Sequence, residues 1–394
     1  MQYDYDLIIV GGGLAGNCLA LALQDSGLRI AIIESNTRAQ LQAAPAGDRA
    51  LALAAGTVNA LEALDIWQGI ADKATAIKHI HISDRGHFGK TRLSAEKAQV
   101  AALGYVIIAR DIEGHVAELV GQSPVDIIAP ARLVGLMSGG DEINVSLKQD
   151  NESVNLSAKL LVGADGGLSS VRTLLDIPQH VTDYRQTALV TTVKSTLPNR
   201  NTAYERFTTS GPLALLPQGK SHSSVVWTRT TEEAEALMLG SEKDFRDELQ
   251  NCFGYRLGEL MLTDPRRAFP LSLIRAETMQ RDRAVIIGNA VHQLHPVAGQ
   301  GFNLGLRDVM QLAADLTSAA QNQQDIGCNE VLSTYTQARQ QDHARVIGFT
   351  DSVVKIFSND WLAIAAARNF GLALLDHIPA AKTALAKQAM GFGE

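Results

Sequence analysis

The run Asp6 to Val10 (DLIIV) leads straight into Gly11-Gly12-Gly13-Leu14-Ala15-Gly16, a G-x-G-x-x-G turn. Such glycines permit a tight turn and let backbone approach a pyrophosphate, which then rests on a helix N-terminus. Asn17 to Ser26 read as that helix, with Gly27 as its stop, and Arg29 to Glu34 (RIAIIE) as a second strand. Strand, glycine turn, helix and strand in this order open a parallel nucleotide-binding sheet. Glu34 closes the second strand, where a carboxylate hydrogen-bonds an adenosine ribose and repels a 2′-phosphate. A plain glycine turn beside a solvated Glu is the alternative, and the strand–helix context weighs against it. NAD and FAD share this fingerprint, so the first motif does not choose between them.

Two further strands run into glycine: Lys159 to Val162 before Gly163, and Arg283 to Ile287 before Gly288. The first continues as Gly163-Ala164-Asp165-Gly166, then Ser169, Ser170, Val171 and Arg172. Asp-Gly is also a common turn dipeptide, and Arg172 pairing with Asp165 would serve structure alone. The second opens the long run Gly288-Asn289-Ala290-Val291-His292, His295-Pro296, then Gly299-Gln300-Gly301-Phe302-Asn303-Leu304-Gly305-Leu306-Arg307-Asp308. Glycines at 299, 301 and 305 let backbone lie flat against a planar ring. A helix beginning after Asn303 would turn its N–H groups toward a developing anion, such as the N1 and C2 carbonyl region of a reduced flavin.

The 394 residues suffice for two or three domains, and 46% hydrophobic with 20% charged residues is ordinary globular composition. A net charge of −7 without a cluster of Lys and Arg along the chain excludes nucleic acid as a partner. Cys18, Cys252 and Cys328 fit neither a zinc spacing nor a redox pair, so no metal is expected and each reads as a small buried hydrophobe. Leu7 to Gln24 lack charge, but the glycines and Asn17 inside and the absence of a basic flank argue against a membrane span. A cytoplasmic protein is expected. Tyr184 to Thr230 alternate and are β-branched, with a turn at Gln218-Gly219-Lys220-Ser221, which reads as an antiparallel sheet inserted as a second domain. From about Leu332 the chain is nearly proline-free and reads as helices.

With the three motifs in order, the chain resembles the p-hydroxybenzoate hydroxylase-like, class A FAD-dependent monooxygenases. Within them it is most similar to the ubiquinone-biosynthesis hydroxylases, and there to the 2-polyprenyl-6-methoxyphenol hydroxylases. The likeness runs from Tyr5 to about Gly371 and includes Asp48 to Thr57, Glu205-Arg206-Phe207 and Gly211 to Ala214. It implies an α/β fold: a Rossmann-like FAD-binding domain (1–75, 99–180 and 270–335), an inserted antiparallel substrate domain (76–98 and 181–269), and a C-terminal helical region (336–394).

The resemblance also implies which residues hold FAD. These are Gly11, Gly13, Leu14, Ala15, Gly16, Glu34, Arg49, Asp165, Gly288, Asn289, Gly299, Gln300, Gly301, Phe302 and Asn303. Asn289 stands where the wider family usually has Asp; it keeps an acceptor oxygen and loses the charge. The segment Ile112 to His115 lacks the Gln or Arg that relatives place against FAD, and Arg110 is the candidate substitute.

The chemistry implied is reduction of FAD by NAD(P)H, addition of O₂ to give a flavin hydroperoxide, and oxygen transfer to the ring of a polyprenyl methoxyphenol. No second G-x-G-x-x-G follows another strand, which matches a family without a separate nicotinamide domain. The cofactor carries the hard chemistry; His295 and Pro296 are the protein's candidates for a catalytic part, with His292 beside them, and structural histidines remain the alternative. Trp361 to Leu375 are apolar on most faces, which suits peripheral contact with the inner membrane face, other ubiquinone-biosynthesis proteins, a second copy, or the protein's own core. The lone tryptophans Trp67, Trp227 and Trp361 exclude the W-x-W-x-I-P motif of halogenases. An FAD-dependent reductase and a non-catalytic flavoprotein scaffold stay open.

Overall fold

The computed structural model describes residues 3–150, 152–357, 369–371 and 378–391. Most of the apolar stretch from Trp361 to Leu375 therefore lies outside the described residues.

Tyr5–Val10 forms the middle of an eight-stranded sheet and pairs in parallel with Ile30–Ile33 on one side and Glu152–Gly163 on the other. Ala284–Ile286 extends the parallel run beyond Glu152–Gly163, and Asp126–Ile128 extends it beyond Ile30–Ile33. Leu7, Ile8 and Ile9 are all fully buried, which explains why the first strand reads as an unbroken apolar run rather than an alternating one. Each such side chain contributes about 2 kcal/mol of burial, as an upper estimate. The helix Leu14–Leu23 packs on this sheet against the helices Ala109–Gln122 and Gln300–Gln321. It starts at Leu14, three residues earlier than the glycines suggest, because the turn itself supplies the helix start.

A nine-stranded, mainly antiparallel sheet forms the second layer, running from His292–Gln293 at one edge to Lys90–Ser94 at the other. The 17-residue strand Gln179–Ser195 carries the chain into it, and Arg267–Ala276 carries the chain out. The expected hairpin joins Gly211–Gln218 to His222–Thr230 through Gly219. One face of this sheet is covered by the helices Thr231–Leu239 and Glu242–Phe253, which bury Leu213, Leu215, Val225 and Trp227 against Phe245 and Leu249. Both helices open with a complete capping box, Thr230 with Glu233 and Ser241 with Asp244.

Between the two layers lies a three-stranded sheet of Ala50–Ala54, Gly104–Ile108 and Thr75–Ile77. The long helix Asn329–Phe357 packs on Gln300–Gln321, and Pro379–Ala389 follows. Among the described residues no helix is long and apolar enough to cross a membrane. All three cysteines are unpaired; Cys18 and Cys252 are buried, and Cys328 is half-buried.

Candidate functional site

The three glycine motifs, far apart in sequence, meet at the carboxyl ends of three adjacent parallel strands, where open α/β sheets bind ligands. Gly11 follows Tyr5–Val10, Gly163 ends Glu152–Gly163, and Gly288 follows Ala284–Ile286. Gly11 has φ +106°, and a Cβ there would stand 2.5 Å from the Ala164 carbonyl oxygen, so the first two turns touch through bare backbone. At Gly16 a Cβ would meet the Gly11 oxygen at 2.0 Å, which lets the helix start fold directly under the turn. Gly288 closes the group in the left-handed region (φ +58°), where a Cβ would stand 3.3 Å from the Ala15 methyl.

Two helix N-termini open at this place. Leu14–Leu23 is capped by Gly13 and Gln300–Gln321 by Gly299, with no side-chain cap and no acid in either first turn. Their N–H groups keep the partial positive charge that other helices of this chain cancel with Thr230 and Ser241. A phosphate at one end and an electron-rich ring edge at the other fit this pair of uncapped ends. The second helix begins at Gln300 rather than after Asn303, because Gly299 in the left-handed region (φ +60°) ends the 3₁₀ turn Val297–Gly299 one residue before it. Gln300, Gly301 and Phe302 thus form its first turn.

The side chains brought here divide by what they already hold. Glu34 accepts from the Gly12 amide at 2.9 Å with one oxygen, and from the Asn36 amide at 2.7 Å with the other. Its carboxylate sits at the first glycine turn, as the spacing suggested. Asp165 accepts from Ser169 Oγ at 2.5 Å, from the Ser170 amide at 2.6 Å and hydroxyl at 2.8 Å, and from the Val171 amide at 3.1 Å. It caps the short helix Ser170–Leu174 and so fixes the Gly163–Gly166 backbone. Arg172 does not hydrogen-bond Asp165: it donates to the carbonyls of Gly167 (2.7 Å) and Ala290 (2.8 Å), which ties the second motif to the third. Asn289 is exposed, in the 3₁₀ turn Gly288–Ala290.

Asn303 is buried and uses all its capacity, accepting from the Ala54 amide (2.9 Å) and Thr57 hydroxyl (2.6 Å) and donating to the Ala52 and Gly299 carbonyls. It pins the strand after Arg49 to the uncapped helix. Arg49 is exposed and precedes that strand. Arg110 is engaged elsewhere, donating to Asp48 at 2.5 Å and to the Ala44 carbonyl, while Arg267 also bonds Asp48.

His295 is sealed, with Nδ1 accepting from the Val297 amide and the ring edge-on to Tyr184 at 5.4 Å. Burial pushes its pKa down to about 4. Pro296 caps the following 3₁₀ turn. His292 is also sealed, and burial pushes it down to about 4 despite Asp308 at 4.0 Å. Neither residue titrates near neutrality. Asp308, at the end of the third motif, accepts at 2.7 Å from both Arg339 Nε and His343 Nε2. Burial alone would raise its pKa; His343, His292 and Arg339 hold it down at about 2. His292, Asp308 and His343 cluster closely enough to suggest a metal, but Arg339 already neutralises the carboxylate, which makes this an ion-pair network. Sequence reading missed Arg339 and His343. Their four-residue helical spacing was the available signal, and nothing near them in sequence pointed to Asp308.

A family model described as FAD binding domain matches residues 4–350. Among curated proteins the chain is 35% identical to an uncharacterized protein of Synechocystis, over 96% of this chain and 91% of that one. It is 33% identical to ubiquinone hydroxylase UbiL of Rhodospirillum rubrum, over 98% and 89% of the two chains. Among solved structures, p-nitrophenol 4-monooxygenase PnpA of Pseudomonas putida superposes with a TM-score of 0.81 at 18% identity, covering 99% of each chain.

Proposed function

Because this chain belongs to the FAD binding domain family, we propose that it is an FAD-dependent monooxygenase that hydroxylates the ring of a polyprenyl methoxyphenol in ubiquinone biosynthesis. The observation that carries the reading is the meeting of three glycine turns and two uncapped helix ends at one sheet edge, in a chain a third identical to a named ubiquinone hydroxylase. Bound FAD would take electrons from NAD(P)H and activate O₂. The protein's part is to hold and shield it. Gly11, Gly13, Leu14, Ala15 and Gly16 would receive the pyrophosphate on the first helix end, and Glu34 the adenosine ribose. Gly288 and Asn289 would take the ribityl chain. Gly299, Gln300, Gly301 and Phe302 would present the second helix end to the flavin ring, with Arg49 alongside. Asp165, Asn303 and Arg110 would act through the backbone they hold, and His295 with Pro296 through the shape of the turn. The discontinuous division into FAD-binding residues (1–75, 99–180, 270–335), substrate residues (76–98, 181–269) and a helical tail (336–394) belongs to the same proposal.

The test is purification with a visible spectrum, followed by NAD(P)H oxidation with and without a methoxyphenol under isotopically labelled O₂. Bound FAD with label in the ring is expected. Bound FAD without label from any phenol would favour a reductase or a scaffold, and a colourless protein that cannot be reconstituted would sink the reading.

A lipophilic substrate calls for access to lipid. Phe88 and Phe370 are 72% and 67% exposed, and Asn369 beside the second accepts from the Gly89 amide beside the first. We propose peripheral membrane contact through this pair. Vesicle sedimentation should fall in a Phe88→Asp variant; equal sedimentation would reject the contact.

A further inference from the structure

We propose that the chain binds an organic phosphate in a cavity at the edge of the nine-stranded sheet, apart from the flavin cradle. The cavity measures about 400 Å³ and is lined by Arg92, Lys97, Arg256 and Lys382, with His79 and His81 beside them. Among the described residues no Asp or Glu lines it. The chain as a whole carries a net charge of −7, so four Lys and Arg side chains around one hollow run against its overall balance. Like charges held together repel, and an anion between them reverses the sign of that interaction.

Five segments build the lining. His79 and His81 pair with Ser94 and Arg92 of the edge strand Lys90–Ser94, and with Thr202 and Tyr204 of Thr202–Thr208. Paired residues of a sheet share a face, so these six point the same way. Lys97 follows the edge strand, Arg256 follows the helix Glu242–Phe253, and Lys382 stands on the helix Pro379–Ala389. Tyr204 meets Phe253 edge-on at 5.3 Å, which places this face on the side of the helix Glu242–Phe253. Ala203, on the opposite face, packs with Ile77 and Val106 of the three-stranded sheet that Asn303 pins to the third motif. The cavity therefore lies on the side of the substrate sheet turned away from the proposed flavin.

The contacts made by these cations show what they lack. Arg256 donates to His81 Nε2 at 2.5 Å, and its guanidinium lies 6.0 Å from the centre of the Tyr204 ring. An accepting ring nitrogen carries no proton, so the guanidinium meets a neutral group where a carboxylate would ordinarily stand. Most of its donor fork stays available for an anion. Burial, followed by Arg256, Arg92, Lys90 and Arg206, pushes the His81 pKa down to about 4. Lys97 has no ion-pair partner among the described residues; Arg92 and Lys382 interact with other groups as well and count here for their charge alone.

Phosphate fits this setting better than a carboxylate. It brings up to two negative charges and three acceptor oxygens, matches an arginine fork in bidentate fashion, and finds hydroxyl donors in Ser94, Thr202 and Tyr204. The volume is that of a small-molecule site rather than of a bare ion, so the phosphate is borne on an organic group. A soluble phosphate ester and the headgroup of an anionic phospholipid both present it. The hairpin that carries His81 and Arg92 turns at the exposed Phe88.

The test is calorimetric titration of the flavin-loaded protein with glycerol 3-phosphate, beside sedimentation with phosphatidylcholine vesicles made with and without phosphatidylglycerol. Saturable binding is expected. Arg256→Gln should weaken it about tenfold and the double variant Lys97→Gln with Arg256→Gln about a hundredfold. Lys148→Gln, on the strand Ile143–Gln149 of the other sheet, removes the same charge and should change nothing. Flavin spectrum and melting temperature check that each variant folds. Sedimentation that requires phosphatidylglycerol and falls in the double variant assigns the site to a lipid headgroup; ester binding without it assigns the site to a soluble phosphate. Saturable binding of neither probe, or an equal loss in Lys148→Gln, would overturn the proposal. Binding is read directly, so the outcome is independent of whether any phenol is hydroxylated.

Discussion

His343 Nε2 lies 2.7 Å from Asp308 Oδ1, and both side chains are shut off from solvent. An ionised carboxylate only accepts, so this nitrogen carries the proton. Through that bond the helix that presents its N-terminus to the proposed flavin is locked to the helix Asn329–Phe357.

Asp308→Asn should lower stability by about 3 kcal/mol, since it leaves Arg339 and His343 facing an acceptor without charge in a sealed site. Arg339 keeps Asp342 at 2.6 Å, which limits the loss. Urea unfolding and FAD retention are the measurements. A midpoint equal to wild type would mean the network is not structural.

Acid should unfold the protein earlier than its carboxylates alone would cause. His292 and His295 sit at about 4 when folded against an ordinary 6.5, so below pH 6.5 the unfolded chain binds protons that the folded chain refuses. Their contribution is whole above pH 6.5 and is lost as pH falls toward 4. Each accounts for about 1.4 kcal/mol per pH unit across that window. Replacing His295 with Gln should remove one such slope from unfolding free energies taken at several pH values; an unchanged slope would contradict the assignment.

Gly16→Ala should cost FAD binding and thermal stability, because its Cβ would press on the Gly11 oxygen. Gly13→Ala meets nothing within 4 Å and has an ordinary φ of −80°, so the apoprotein should melt as wild type does. If the two variants behave alike in scanning calorimetry, the turn geometry is not what constrains these positions.

Asn303→Asp should be worse than Thr57→Val. The first places an oxygen against the Ala52 and Gly299 carbonyls, now served by the amide nitrogen at 2.9 and 2.7 Å. The second removes one donor to Asn303. The expected loss is about 2 to 4 kcal/mol for the aspartate and about 1 for the valine, read as unfolding free energies. Reversal of that order would place the clamp elsewhere.

The glycine turns were legible because each departs from what a random sequence does after a strand, and their chemistry needs bare backbone that only glycine provides. Glu34 was legible by its distance from the turn. Asp165 and Arg172 were legible as important, but not what they hold, since a Ser-Ser capping pair and two distant carbonyls leave no pattern in the sequence. Arg110 was legible as a cation near a motif, but its bond to Asp48 was not. The meeting of His343 and Arg339 with Asp308 depends on register between segments far apart, which only the assembled sheets and helices fix.

The clamp at Asn303 also bears on how the chain is made. The turn at Gly11, the carbonyl of Ala52 and the helix from Gln300 come from opposite ends of the polypeptide, so the cradle cannot exist until the third motif has left the ribosome. Closing loops of this length comes late in folding. A cradle built from all three turns therefore waits until the strand Ala284–Ile286 and the helix from Gln300 have been synthesised.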